Sequence, residues 1–253
     1  MLRIAEGQTN LYQYEQAEQT LNDVDTMLSS LSSRGSEADR KWATASAAMF
    51  RGKIKLSRNQ LYEAIPDFQL AASLGSDQTS QNKLNKSTAF SALMSLGKTY
   101  SRLGQLKNSA ASFDQALTIR PDSENALLSS ADSWAGLGDL DRAINNAERA
   151  LKLPNATAQA NRYLAQYLLE RQIAKPRGER EWNQFDDAFK DARWQLADSW
   201  KLRFIDVDHA IRRSNNSDVS NVLGKLLSIE SDFPDDVQVW RRLPFIYLSL
   251  IHI

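Results

Sequence analysis

Apolar residues return along this chain at helical steps, in runs separated by short polar stretches. Leu11, Tyr14, Ala17, Leu21 and Val24 form one such run, followed by the serine-rich stretch SSLSSRGSEADRK. Ala64, Phe68 and Ala71 mark another, with Pro66 inside it, where a proline removes one backbone hydrogen bond and bends the helix. Leu164, Ala165 and Leu168 suit a helix that AKPRGERE then interrupts. Beyond it, Trp182, Phe185, Phe189, Leu196, Trp200 and Phe204 recur at mixed three-, four- and seven-residue steps, which predicts amphipathic helix with one break. Val222, Leu226 and Ile229 place a further helix between Ser217 and Pro234.

The runs are not independent. Gly104 and Gly138 lie 34 residues apart, as do Leu106 and Leu140, Ala116 and Ala150, and Leu117 and Leu151. The segments SLGKTYSRLGQLKNSAASFDQALTIRPD and SSADSWAGLGDLDRAINNAERALKLPNA align without a gap. In the first, Leu93, Leu96, Gly97 and Tyr100 precede Ser109, Phe113, Ala116 and Pro121; in the second, Leu127, Ala131 and Trp134 precede Ala143, Ala147 and Ala150. Small residues let two helices approach, and large ones fill the remaining space. This order and period resemble the tetratricopeptide repeat (TPR), a helix–turn–helix unit whose signature runs W-x2-L-G-x2-Y, then A-x3-F, then P. The resemblance implies an all-α fold, a right-handed superhelical solenoid of antiparallel helix pairs.

Gly52, Ala64, Phe68 and Ala71 repeat Gly97, Ser109, Phe113 and Ala116 at a spacing of 45, so an 11-residue insertion is expected within GSDQTSQNKLNKS. Arg51 and Lys55 stand there in place of the usual Leu and Tyr. The expected organisation is a partial or atypical unit over 1–30, a polar linker over 31–41, and a core array over 42–157. That array holds units at about 45–78, 90–123 and 124–157, with the insertion at about 75–88. Degenerate repeat-like helices follow over 158–236. Trp240, Leu243, Pro244 and Tyr247 then begin a further unit over 237–247, with proline in the glycine position. The closing LSLIHI, residues 248–253, resembles the translation of a transposon end used in sequencing libraries. On that reading the chain is a fragment of a larger TPR-containing protein. Met1 also falls inside a first helix, so a start further upstream is expected.

Composition narrows the function classes. Hydrophobic residues at 42% and charged residues at 25% allow a buried core. Lysine plus arginine and aspartate plus glutamate balance at 31 each, which leaves no general electrostatic footprint for nucleic acid or an anionic membrane. The chain has no cysteine, which excludes disulfides, thiolate metal sites and cysteine nucleophiles. The opening residues lack an apolar signal core and no apolar run reaches the length of a membrane span, so a cytoplasmic location is expected. Phosphate-binding glycine loops and nucleophile elbows are missing. His209, near Asp206 and Asp208, lacks the i, i+4 spacing of helical metal sites and reads as a surface or interhelical histidine. Asp186, Asp187 and Asp191 read as a solvated face. Trp182, Trp194 and Trp200 could line a groove, but beside Phe185, Phe189 and Phe204 they read as core. No enzyme activity, metal or cofactor is expected.

In TPR arrays the first helices line a concave surface that receives an extended peptide or a partner helix. The resemblance puts Met49, Lys53, Met94, Lys98, Arg102, Leu128, Asp132, Arg162 and Gln166 on that face. Lys53, Lys98, Arg102 and Arg162 make it mildly basic against Asp132, which suits an acidic or mixed peptide. One subfamily grips a partner's terminal carboxylate with Lys and Asn. Here Met49, Met94 and Leu128 stand where further polar clamp residues would be needed. The expected function is a protein-interaction scaffold. The alternatives are the repeat arm of a larger enzyme, such as a glycosyltransferase or kinase, and a structural spacer.

Overall fold

A recurrent turn organises the first half of the chain. At Tyr12, Asn59, Gly104 and Gly138 the backbone enters the left-handed region, with φ of 60°, 61°, 71° and 83°. Beside each, the next residue's N–H reaches five residues back, Gln13 to Gln8, Gln60 to Lys55, Gln105 to Tyr100 and Asp139 to Trp134. The left-handed residue itself bonds three residues back, to Thr9, Leu56, Ser101 and Ala135. This pair of bonds is the Schellman motif, which satisfies the last carbonyls of a helix and reverses the chain. Glycine adopts that conformation freely, while tyrosine is strained in it.

The computed structural model describes residues 1–30, 36–75, 83–196, 199–213 and 219–251. Among them are thirteen α-helices and no strand. The chain divides into two compact units, Met1–Asp139 and Leu140–Ile253. The division falls inside the expected 124–157 repeat.

The first unit holds α1 (Leu2–Asn10), α2 (Tyr14–Ser30), α3 (Glu37–Ser57), α4 (Leu61–Gly75), α5 (Lys83–Arg102), α6 (Leu106–Ile119) and α7 (Glu124–Gly136). Each of α1, α3 and α5 packs on the helix after it, and the three also lie side by side, α1 on α3 and α3 on α5. The pairs lock by the same device twice. A Cβ on Gly52 would fall 2.6 Å from the Phe68 ring, and one on Gly97 would fall 2.7 Å from the Phe113 ring. Glycine is required at both positions because an aromatic edge occupies the space of a side chain. Between α6 and α7 the contact is polar. Asp114 accepts from Ser130 at 2.6 Å and from the Trp134 indole at 3.2 Å, and the buried hydroxyls of Ser109 and Ser133 share a hydrogen bond at 2.8 Å.

Two boundaries differ from the sequence expectation. Ser36 caps α3, accepting from the Asp39 N–H at 3.1 Å, so the second half of the expected 31–41 linker is helix. Residues 31–35 lie outside the described residues, as do 76–82 within the expected insertion. The remainder of that insertion, from Lys83, lengthens α5. Arg51 and Lys55, the two departures from the repeat pattern, serve as struts. Arg51 pairs with Asp25 of α2, and Lys55 with Asp67 of α4 at 2.7 Å.

The second unit holds α8 (Leu140–Leu151), α9 (Ala158–Ile173), a short 3-10 turn (Arg177–Glu179), α10 (Asn183–Gln195), α11 (Trp200–Arg213), α12 (Val219–Asp232) and α13 (Val237–Ile251). The turn occupies AKPRGERE, and the helical break expected between Trp182 and Phe204 falls between α10 and α11. Here α9 packs on α8, α10 and α11, while α11, α12 and α13 share one core around Phe204, Val207, Leu226, Ile229 and Leu243. Cross-helix ion pairs border that core: Arg203 with Asp232, Lys225 with Asp206, and Arg242 with Asp208 at 3.1 Å. Helix α13 runs through Leu248 of the expected library-derived end; residues 252–253 lie outside the described residues.

Candidate functional site

The expected binding residues fall on first helices at four-residue steps, which puts them on one helix face each. Met49 and Lys53 lie on α3, Met94, Lys98 and Arg102 on α5, and Leu128 and Asp132 on α7. Since α3 and α5 pack side by side, two of these stripes occupy neighbouring helices. Arg102 marks that proximity, donating to the Asn59 side chain at 2.8 Å across the turn that ends α3.

Burial sorts the set. Lys98, Arg102 and Asp132 are exposed, and Lys53 is half-buried with its ammonium 5.3 Å over the Phe50 ring. Met49, Met94 and Leu128 are only 5%, 7% and 8% exposed, which corrects the expectation that they lie open on the face. Long apolar side chains at this spacing are drawn into the seams between helices rather than left in water. What remains open in the first unit is a short cationic stretch, with Asp132 on α7.

Arg162 and Gln166 lie on α9, in the second unit. Arg162 is buried rather than open, which is a second correction. Its guanidinium lies 4.0 Å over the Tyr163 ring and donates to Gln159 at 2.9 Å. A planar guanidinium can be taken into a helix surface in this way when its donors are met. Gln166, half-buried, donates to Glu170 at 3.0 Å.

A second hollow lies on the opposite side of α5, where α4 and α6 flank it. This groove of about 930 Å³ has Leu93, Leu96 and Tyr100 on its floor, and Gln69, Asn108 and Gln115 along its walls. Gln69 donates to the Tyr100 hydroxyl at 3.2 Å. The sequence reading missed it. Its signal was the small Ala72 and Ala111 among amides at helical spacing, which leave space between two second helices.

The remaining candidates have structural roles. Asp186 is not simply solvated: Arg213 donates to both of its oxygens, at 3.1 and 3.0 Å. Asp187 and Asp191 are exposed. His209 turns toward Asp186 rather than toward Asp206 or Asp208, which pair with Lys225 and Arg242. Burial raises the Asp208 carboxyl above its usual value, against the pull of Arg242. Trp182 packs against Phe185 and Trp200 against Phe204, whereas Trp194 is 89% exposed. Among the described residues no three His, Cys, Asp or Glu side chains gather where they could hold a metal ion. Among the same residues, no helix is long and apolar enough to cross a membrane.

Comparison with known proteins agrees with the repeat geometry. Residues 90–123, which span α5 from Phe90, the turn at Gly104 and all of α6, match the family model described as tetratricopeptide repeat. No curated protein matches the chain by sequence. A tetratricopeptide repeat protein from Parabacteroides merdae superposes with a TM-score of 0.62 at 16% identity, covering 82% of this chain and 73% of its own. MamA protein gives 0.59 at 15% identity, over 77% of this chain and 96% of its own. YrrB, described as a TPR protein with an unusual peptide-binding site, gives 0.53 at 15% identity, over 78% and 91%. At such identities these likenesses speak to fold alone.

Proposed function

We propose, from the premise that this chain is a tetratricopeptide repeat protein, that it is a non-catalytic scaffold which captures a peptide or partner helix on its first-helix face. The observation that carries this reading is the exposure of Lys98 and Arg102, one turn apart on α5, beside the half-buried Lys53 of the adjacent α3. Three cations on packed neighbouring helices favour an acidic or mixed segment, because opposite charge steers encounter and fixes register. Met49 and Met94, though mostly buried, give that face an adaptable apolar base.

Charge reversal at Lys98 tests the reading with least structural cost, since this side chain is exposed. Lys98→Glu is expected to weaken capture of an acidic partner about tenfold or more, roughly 1.4 kcal/mol, measured by calorimetric titration. Unchanged affinity would remove this face from consideration.

A second reading is supported by the hollow between α4 and α6, which is walled by the amides of Gln69, Asn108 and Gln115, with Lys86 also lining it. Amides match the donors and acceptors of an extended main chain. Binding there would be insensitive to Lys98→Glu and would be lost when Ala111→Trp fills the groove.

A further inference from the structure

The second unit keeps one histidine between two helices and away from water. His209 of α11 has a side chain only 12% exposed. Its ring lies 4.3 Å from the Phe185 ring of α10 and 4.7 Å from the Trp182 ring just before that helix. Phe185 stacks in turn on Phe189, at 5.4 Å. Within this aromatic enclosure Nε2 is buried and has no hydrogen-bond partner among the described residues. The Asp186 carboxylate is 3.8 Å away, beyond hydrogen-bond reach, and Arg213 already holds both of its oxygens.

We propose that His209 is an acid-sensitive clasp, whose neutral ring holds α10 against α11 and whose protonation loosens that contact. The neutral imidazole packs as an aromatic plate. An imidazolium would place a charge against Trp182 and Phe185, with the two carboxylates that favour it, Asp186 and Asp206, already engaged by Arg213 and Lys225.

The charges that act on the ring come from α10, α11 and α12: Asp186 and Asp206 favour the cation, Arg213 and Lys225 oppose it. Two further groups near this contact are committed elsewhere. Asp208 pairs with Arg242 of α13, and Arg180, from the connection after α9, donates to the carbonyls of Ile173, Lys175 and Arg212. Burial is the largest influence and lowers the His209 pKa from its usual 6.5. A lowered folded-state pKa means that the unfolded chain takes up the proton first. The stabilisation is therefore complete above 6.5 and is lost as pH falls from there through the folded-state value.

The chain has only two histidines, so their ring resonances can be followed by NMR in the full chain between about pH 8 and about pH 5. His209→Gln assigns the signal. The expected result is a His209 midpoint below 6.5, accompanied by a change in the Trp182 indole signal at the same midpoint. A midpoint at or above 6.5 overturns the proposal, and so does a Trp182 signal that ignores the titration. Thermal unfolding gives an independent arm. Between about pH 7.5 and about pH 5.5 the wild type should lose more in Tm than His209→Gln or His209→Phe, which carry no titrating ring. Equal losses in all three would contradict the clasp. If a variant fails to fold, the wild-type titration decides alone.

Discussion

The α5–α6 pair and the α10–α11 contact join helices in opposite ways. In the first, Gly97 removes its own side chain so that the Phe113 ring can lie on bare backbone. In the second, no glycine lies under an aromatic ring; side chains meet side chains, with His209 between Trp182 and Phe185 and Arg213 on Asp186. A backbone pit fixes two residue types at a fixed separation, so it repeats visibly, as Gly52 with Phe68 shows. A side-chain enclosure can be assembled from many combinations and leaves no period. The recurrence of Gly52 and Phe68 in Gly97 and Phe113 therefore follows from the kind of lock, while both regions are helical.

The largest expected effect comes from emptying the pit. Phe113→Ala should cost about 3–5 kcal/mol, because a buried ring is lost and α6 cannot collapse onto the Gly97 backbone. Urea denaturation of the full chain would read this, with the transition carrying the loss assigned to the first unit.

Filling the pit from the other side comes next, and here two glycines should respond with opposite signs. Gly97→Ala places a methyl 2.7 Å from the Phe113 ring, so overpacking of about 1–3 kcal/mol outweighs the gain of about 1 kcal/mol in helix propensity. Gly224 lies within α12, and a Cβ there meets nothing within 4 Å. Gly224→Ala should therefore stabilise by about 0.5–1 kcal/mol. Two changes of the same sign would refute the idea that only the first is a packing glycine.

A smaller gain tests the turns. Tyr12 holds a φ of 60° while 77% exposed, so it bears the strain of a left-handed residue without buried contacts to offset it. Tyr12→Gly should raise stability by about 1 kcal/mol, read as an upward shift in Tm. No gain would mean that its edge contact with Tyr14, at a centroid distance of 6.0 Å, compensates the strain.

These particulars also explain what the sequence made legible. Gly104 and Gly138 announce their turns because glycine is the usual occupant of a left-handed position, but Tyr12 and Asn59 make the same turn without the signature. The 45-residue spacing from Gly52 to Gly97 was readable because the pit demands both glycine and phenylalanine. The start of α3 was missed because Ser36 sits in a serine-rich stretch, where a cap resembles a linker. Periodicity also placed Met49, Met94, Leu128 and Arg162 on a helix face, yet it cannot report how deeply a neighbouring element covers them. The groove beside α6 depends on the gap between two second helices, which no single helix encodes.

The most direct test of the scaffold reading is a competition between the two faces of α5. An array of acidic peptides would be screened against the full chain, and the tightest peptide titrated calorimetrically into wild type, Lys98→Glu and Ala111→Trp. Capture on the first-helix face predicts that Lys98→Glu loses about tenfold or more in affinity while Ala111→Trp binds as wild type. Intact binding by Lys98→Glu, with loss in Ala111→Trp, would contradict it and move the site to the groove between α4 and α6.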